Sequence, residues 1–280
     1  LGLALQVVVN VVNIVLSVSL GLWAGWGIVG VAWAAVLAEG VAAAAGLLLL
    51  VLRFRRLPPL AAGALRNVAA LKVMFALNRD IMIRSFVLVG AFALMARQGA
   101  QLGTLTLAAN AVLMNFFFLS GYFLDGFAAA AEQLAGRSIG ARHRIAFVRA
   151  VKLTTIWGLG VSTLLTGLFL ARGEMLIAAM TTSPDVRDLA AAYLPWAALT
   201  AVSGVLAFQM DGVFMGATWS RDLRNMMLAA FAVFIAALAL LVPAFGNAGL
   251  WGALHLFLLM RGLSLAALLP KRTQAAFAGT

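Results

Sequence analysis

MMLAAFAVFIAALALLV, residues 226–242, is a run of seventeen residues without a charged or amide side chain. As a helix it is long enough to cross a bilayer's hydrocarbon layer, which takes about 17–25 residues. Its apolar residues are continuous and do not alternate with period two, so it does not read as a barrel strand. In lipid no water is present to satisfy backbone groups, which leaves helices or a closed barrel as the spanning structures. Seven more predominantly apolar runs flank it, at residues 1–22, 28–52, 81–101, 104–131, 153–171, 189–215 and 250–269. The expected fold is therefore all-α, a polytopic membrane helical bundle of about eight transmembrane helices. Composition agrees: 64% of residues are hydrophobic and 10% charged, where a soluble domain is roughly half apolar and a quarter charged. A water-soluble fold of this size lacks the interior volume to hide that much apolar side chain.

A formal net charge of +11 would suit a nucleic-acid binder if the cations shared one soluble face. They sit instead in short breaks between apolar runs, so no nucleic-acid partner is expected. Of 20 Lys and Arg, 15 fall in four places: Arg53 through Arg79, Arg137 through Lys152, the pair Arg221 and Arg224, and Lys271 with Arg272. These are every second break. The opposite breaks hold only Arg97, Arg172 and Arg187. Short loops rich in Lys and Arg stay cytoplasmic, so the first span is expected to run outward and the C-terminus to be cytoplasmic. There is no cysteine, hence no disulfide and no thiolate metal site. The chain opens at Leu1 inside an apolar run, without a basic n-region. It is expected to be an N-terminally truncated piece rather than a chain with a signal peptide.

A weak repeat links residues 27–34, GIVGVAWA, with residues 246–253, GNAGLWGA. Each follows one span and opens the next. Beyond it, several ordered motifs resemble the MATE (multidrug and toxic compound extrusion) transporters, within them the DNA-damage-inducible protein F-like branch. They are NRDIMIR at 78–84, LAANAVL at 107–113, YFLDGF at 122–127 with Ala130, Ala131 and Glu132, then Gly136 and Gly140. DGVFMGAT at 211–218 followed by RDLRN at 221–225 continues the series, as do NVVNIVL at 10–16 and GWGIVGVA at 25–32. The resemblance covers essentially the whole chain. It implies twelve helices in two six-helix lobes that export organic, often cationic, compounds in exchange for H+ or Na+. Residues 1–52 would be the last two helices of the first lobe, 53–72 a cytoplasmic basic linker, 73–270 the complete second lobe and 271–280 a cytoplasmic tail. The branch's best-known coupling carboxylate lies on a first helix that this chain does not contain. The implied setting is the bacterial inner membrane, with a small-molecule substrate and the lipid bilayer as partners. A complete protein would be a monomer; this chain would need the missing helices.

Ionisable residues within a bilayer are costly and face a bundle interior or an aqueous cavity, so they are the informative positions. Asp80 and Arg84 are four apart, so they lie on one helical face and could pair. The pair reads either as a gate lining the cavity or as a structural bond with Arg84 snorkelling. Asp125 and Glu132, seven apart, share a stripe; Asp125 is the deeper and needs a buried partner or a wet cavity. Asp211 stands beside Gln209 and before Gly212 and Gly216, a small-xxx-small packing face. Asn110 and Asn115 suit cavity lining or interhelical bonds. Phe116, Phe117, Phe118 and Tyr122 beside them offer cation–π surface or plain packing. Glu39 is a lone acid in the second span. His255 and Arg261 are six apart and do not stack; His255 reads as a helix contact or a proton carrier. Pro195 removes a backbone bond inside its span, as a kink or a hinge.

No soluble-enzyme constellation is present. GxxxxGK[ST] and HExxH are absent, and with two His no metal cluster assembles. An exporter without a cofactor, driven by H+ or Na+, is the expected function. The alternatives are a lipid-linked oligosaccharide flippase of the related superfamily, which Arg84 and Arg261 would suit, and a non-transporting membrane fragment.

Overall fold

The apolar runs fold as helices in a computed structural model that describes residues 2–55 and 67–278. Arg56, Pro58, Pro59 and Arg66 of the basic linker lie outside the described residues. The chain divides into two compact units, Leu1–Asn67 and Val68–Thr280. In the first unit α1, Gly2–Leu16, continues as a π-helical segment, Ser17–Trp23, and reverses into α2, Gly27–Phe54. The second unit holds α3 (Val68–Gln101), α4 (Thr104–Gly140), α5 (Arg144–Met180), α6 (Pro184–Gly216) and α7 (Ser220–Ala276). Among the described residues, six helical stretches are long and apolar enough to cross a membrane. At 34 residues, α3 is also of spanning length. The 57 residues of α7 are two rods joined across Gly246, whose φ of 55° and ψ of −129° are non-helical. Counted as rods, the two halves of α7 bring the described helices to eight.

Gly246 is where glycine's freedom matters, because φ near +55° is a region that L side chains rarely adopt. Three residues on, Gly249 packs so closely on the previous rod that a Cβ would collide with the Leu241 carbonyl. The first unit repeats the device. Gly27 has φ of +54°, and a Cβ on Gly30 would lie 2.5 Å from the Leu20 carbonyl oxygen. The two turns that resemble each other in sequence therefore share a glycine of positive φ and a close approach at the same offset.

Within the second unit, short connections make successive rods antiparallel. The Thr166 hydroxyl of α5 bonds the Ala198 carbonyl of α6. Between the parallel α4 and α6, a Cβ on Gly212 would collide with the Ala128 carbonyl and one on Gly216 with the Glu132 carbonyl. The small-xxx-small face is thus a helix–helix seam. One apolar core gathers Phe116, Phe169, Phe234, Trp251 and Phe257. A second gathers Phe147, Phe214, Leu223 and Leu265 towards the other end.

Helix ends reach further than the apolar runs. α4 extends to Gly140 and α5 starts at Arg144, so the basic stretch 137–152 is mostly helix around a three-residue turn, where a loop was expected. Charged side chains beyond the hydrocarbon need not end a helix, and Arg137 sits in the last turn of α4, where a cation complements the dipole. The His143 ring accepts from the Ala146 N–H and caps α5. The expected break at 220–225 is likewise the first turn of α7. α6 continues as helix through Pro195.

Candidate functional site

Arg84 on α3, Asp125 and Glu132 on α4, Asp211 on α6 and Arg261 on α7 border one cavity of about 440 Å³. Its centre is a bridged ion triad. Arg84 donates to Asp211 Oδ2 at 2.5 Å and Arg261 to the same oxygen at 2.7 Å. Arg261 is 4% exposed and Asp211 7%, so the bridge is protected from solvent. Two guanidinium groups on one carboxylate leave an uncompensated positive charge at this point. The Nε of each arginine is buried without a partner. Arg261 also lies over the Phe257 ring, 5.5 Å from its centroid, within cation–π range.

Asp125 is the counterweight. It is exposed to the cavity and makes no hydrogen bond or ion pair among the described residues. It lies within electrostatic reach of Asp211, Arg84 and Arg261. Glu132, two turns along the same stripe, is also exposed at the rim. With both acids ionised, the cavity holds two arginines against three carboxylates. Phe92, Phe117, Phe118, Tyr122 and Phe208 are the aromatic part of its wall. Phe92 stands 5.5 Å from Phe117 and 6.0 Å from Phe118, centroid to centroid. The arrangement offers a free carboxylate beside aromatic faces, a combination that suits a flat organic cation.

The structure separates residues that sequence spacing had joined. Asp80 does not pair with Arg84, although they are one turn apart. Its carboxylate accepts from Arg224 at 2.6 Å, from Arg79 at 3.2 Å and from the Ser220 hydroxyl at 3.3 Å. It is 1% exposed, inside a joint between α3 and the start of α7, outside the cavity. Arg84 is instead engaged by Asp211 of α6, while Asp80 is held by its neighbour Arg79 and by Arg224 and Ser220 of α7. Asn115 is a second correction: it is exposed, donates to the Ala111 and Val112 carbonyls of its own helix, and is not among the residues bordering this cavity.

Asn110 makes an interhelical bond. It exchanges hydrogen bonds with Asn247, at 2.7 and 3.1 Å, and accepts from the Trp251 indole at 3.0 Å. His255 meets the Ser203 hydroxyl at 2.8 Å and the Trp196 carbonyl at 3.1 Å, a helix contact away from the triad. Glu39 is exposed on α2, in the other unit. Sequence reasoning missed Phe92 and Phe208 as cavity wall, and Ser220 and Arg224 as the seat of Asp80. The motif RDLRN at 221–225 contains that arginine, but nothing in its spacing names the partner. Gln209, fully buried with neither amide atom partnered, packs against Gly158 of α5.

Comparison with known proteins places these elements. The MatE family model matches residues 81–241, which carry Arg84, Asp125, Glu132 and Asp211. DNA damage-inducible protein F of Escherichia coli (strain K12) is 38% identical over 272 residues, covering 94% of this chain and 58% of that protein. Among solved structures, a MATE transporter in the straight conformation superposes with a TM-score of 0.84 at 15% identity, over 98% of this chain and 62% of that one. The Vibrio cholerae MATE transporter VcmN in the bent form gives 0.79 at 19% identity, over 98% and 62%. The chain thus spans about three fifths of the length of these relatives.

Proposed function

This chain belongs to the MatE family of membrane transporters, and from that premise we propose that it forms part of a secondary active exporter whose cavity takes up organic cations in exchange for H+ or Na+. The observation that carries the reading is Asp125, an unpaired carboxylate in an aromatic-walled cavity. A carboxylate in such a place is costly to leave both charged and alone. It is satisfied by a proton, a metal cation or an organic cation, and by one of them at a time. Mutual exclusion at a single acid is the elementary requirement for exchange: loading one cation discharges the other. The Arg84–Asp211–Arg261 bridge ties α3, α6 and α7 into one body beneath it. That rigidity suits rocking of a whole helix bundle around a central site. A ligand that prefers one state shifts the balance only by its differential affinity. Exporter orientation follows the positive-inside rule, with both ends of the second unit cytoplasmic.

The test is accumulation of a fluorescent organic cation in cells that express the chain joined to any coding sequence upstream of residue 1. The reading predicts lower accumulation, abolished by a protonophore or by removal of Na+. Unchanged accumulation for every cationic dye would contradict it. A second reading rests on the two arginines that share one carboxylate: a cavity that admits an anionic, lipid-linked headgroup. Under that reading Arg84→Gln lowers flipping of a polyprenyl-phosphate sugar and no dye moves.

A further inference from the structure

Three cations, Lys72, Arg221 and Arg272, and two carboxylates, Asp80 and Asp222, line a cleft of about 430 Å³ at the end of the second unit opposite Gly246. Both carboxylates are already matched. Asp80 is held by Arg224 and Arg79. Asp222 takes a two-point contact from Arg272, through Nε at 2.6 Å and through the second guanidinium nitrogen at 2.6 Å. That leaves Lys72 of α3 and Arg221 of α7, which face the cleft, are exposed, and make no hydrogen bond or ion pair among the described residues. α7 also begins here, at Ser220, so the positive end of a long helix opens beside them.

From this geometry we propose that the cleft is a binding site for the phosphate of an anionic phospholipid, with Lys72 and Arg221 as its contacts. Two unpaired cations on different helices, with the local acids already neutralised, make a site for an anion. The remaining wall says where the anion comes from. Val73, Ala76 and Leu77 line the cleft from α3, and the same helix continues along its length into the apolar run of residues 81–101. An acyl chain lying along that helix keeps its headgroup level with the cleft. Trp219, half-buried at the cleft, is the residue type that settles at membrane–water boundaries. Basic pockets between helices at the cytoplasmic side match anionic headgroups, and the negative potential of that leaflet draws them in. Bound lipid would bridge α3 to the start of α7, the joint that Asp80 and Arg224 already close. The site rests on the cytoplasmic orientation proposed above and not on the identity of the exported compound.

The experiment is native mass spectrometry of the purified full chain with phosphatidylglycerol, with phosphatidylcholine, and separately with inorganic phosphate. One phosphatidylglycerol per chain is expected at concentrations where phosphatidylcholine is not retained and inorganic phosphate does not bind. The double variant Lys72→Gln/Arg221→Gln is expected to weaken that binding about 25-fold, at roughly five-fold per basic side chain near the surface. Arg144→Gln/Arg149→Gln, elsewhere on the same end, is expected to change it less than about two-fold. If the first double variant fails to fold, Lys72→Arg/Arg221→Lys carries the test and must retain the lipid. Equal retention of the two lipids would overturn the site. So would a glutamine double variant that binds normally, or inorganic phosphate binding as tightly as the lipid.

Discussion

Asp211 holds two arginines on a single oxygen, and its removal would leave the buried Arg261 and the part-buried Arg84 both without their ion pair. Breaking a buried ion pair from one side costs about 3–5 kcal/mol, because the stranded charge cannot regain water. Asp211→Ala is therefore expected to lower the chain's stability by about that amount in detergent unfolding. Arg84→Gln should cost less, since Asp211 retains Arg261. Asn110→Ala would leave Asn247 and Trp251 short of a buried partner, a loss of about 1–3 kcal/mol by the same assay. At this scale the sequence was partly legible. Asp125, Asp211, Arg84 and Arg261 stand out because charge inside an apolar run needs a reason, and the structure brings all four to one cavity. Their pairing was not legible. Asp80 and Arg84 share a helical face, yet Arg84 pairs with Asp211 on α6 and Asp80 reaches Arg224 on α7 besides its neighbour Arg79, and that choice depends on how the helices register.

Helices were the most legible level, because a continuous apolar run has one solution in lipid. Their ends were not, since Arg137 to Lys152 reads as a loop by charge although backbone bonding carries α4 and α5 through most of it. The α4–α6 seam makes a sharp prediction. Gly212→Ala places a methyl against the Ala128 carbonyl, which is backbone and cannot rotate away. Overpacking of this kind costs about 1–3 kcal/mol, and a lowered melting temperature is the readout. Gly126→Ala, on the same α4 but with open space around its Cβ position, should not lower melting and is expected to raise it slightly, because alanine favours the helix by about 0.5–1 kcal/mol over glycine. Gly246→Ala should cost about 1–3 kcal/mol through backbone strain alone, with no new contact in the structure to blame.

For the whole molecule, the chain belongs to a transporter family, and the proposal made above puts exchange at Asp125. The lack of cysteine makes topology directly measurable. In intact cells, Arg142→Cys should resist an impermeant maleimide until the membrane is opened, and Ser183→Cys should react at once; the reverse pattern would invert the orientation. The central claim is that Asp125 takes a proton or an organic cation, never both. It is tested most directly by the affinity of the purified chain for a fluorescent organic cation, followed as pH is lowered. Only the ionised acid attracts the dye, so binding should tighten as pH rises. Asp125→Asn should weaken it at least about ten-fold at the upper end, the loss of one charge-assisted contact, and flatten the pH profile. Glu132→Gln should preserve the slope. Dye binding that is independent of pH, or an Asp125→Asn chain that binds as tightly as its parent, would contradict the account.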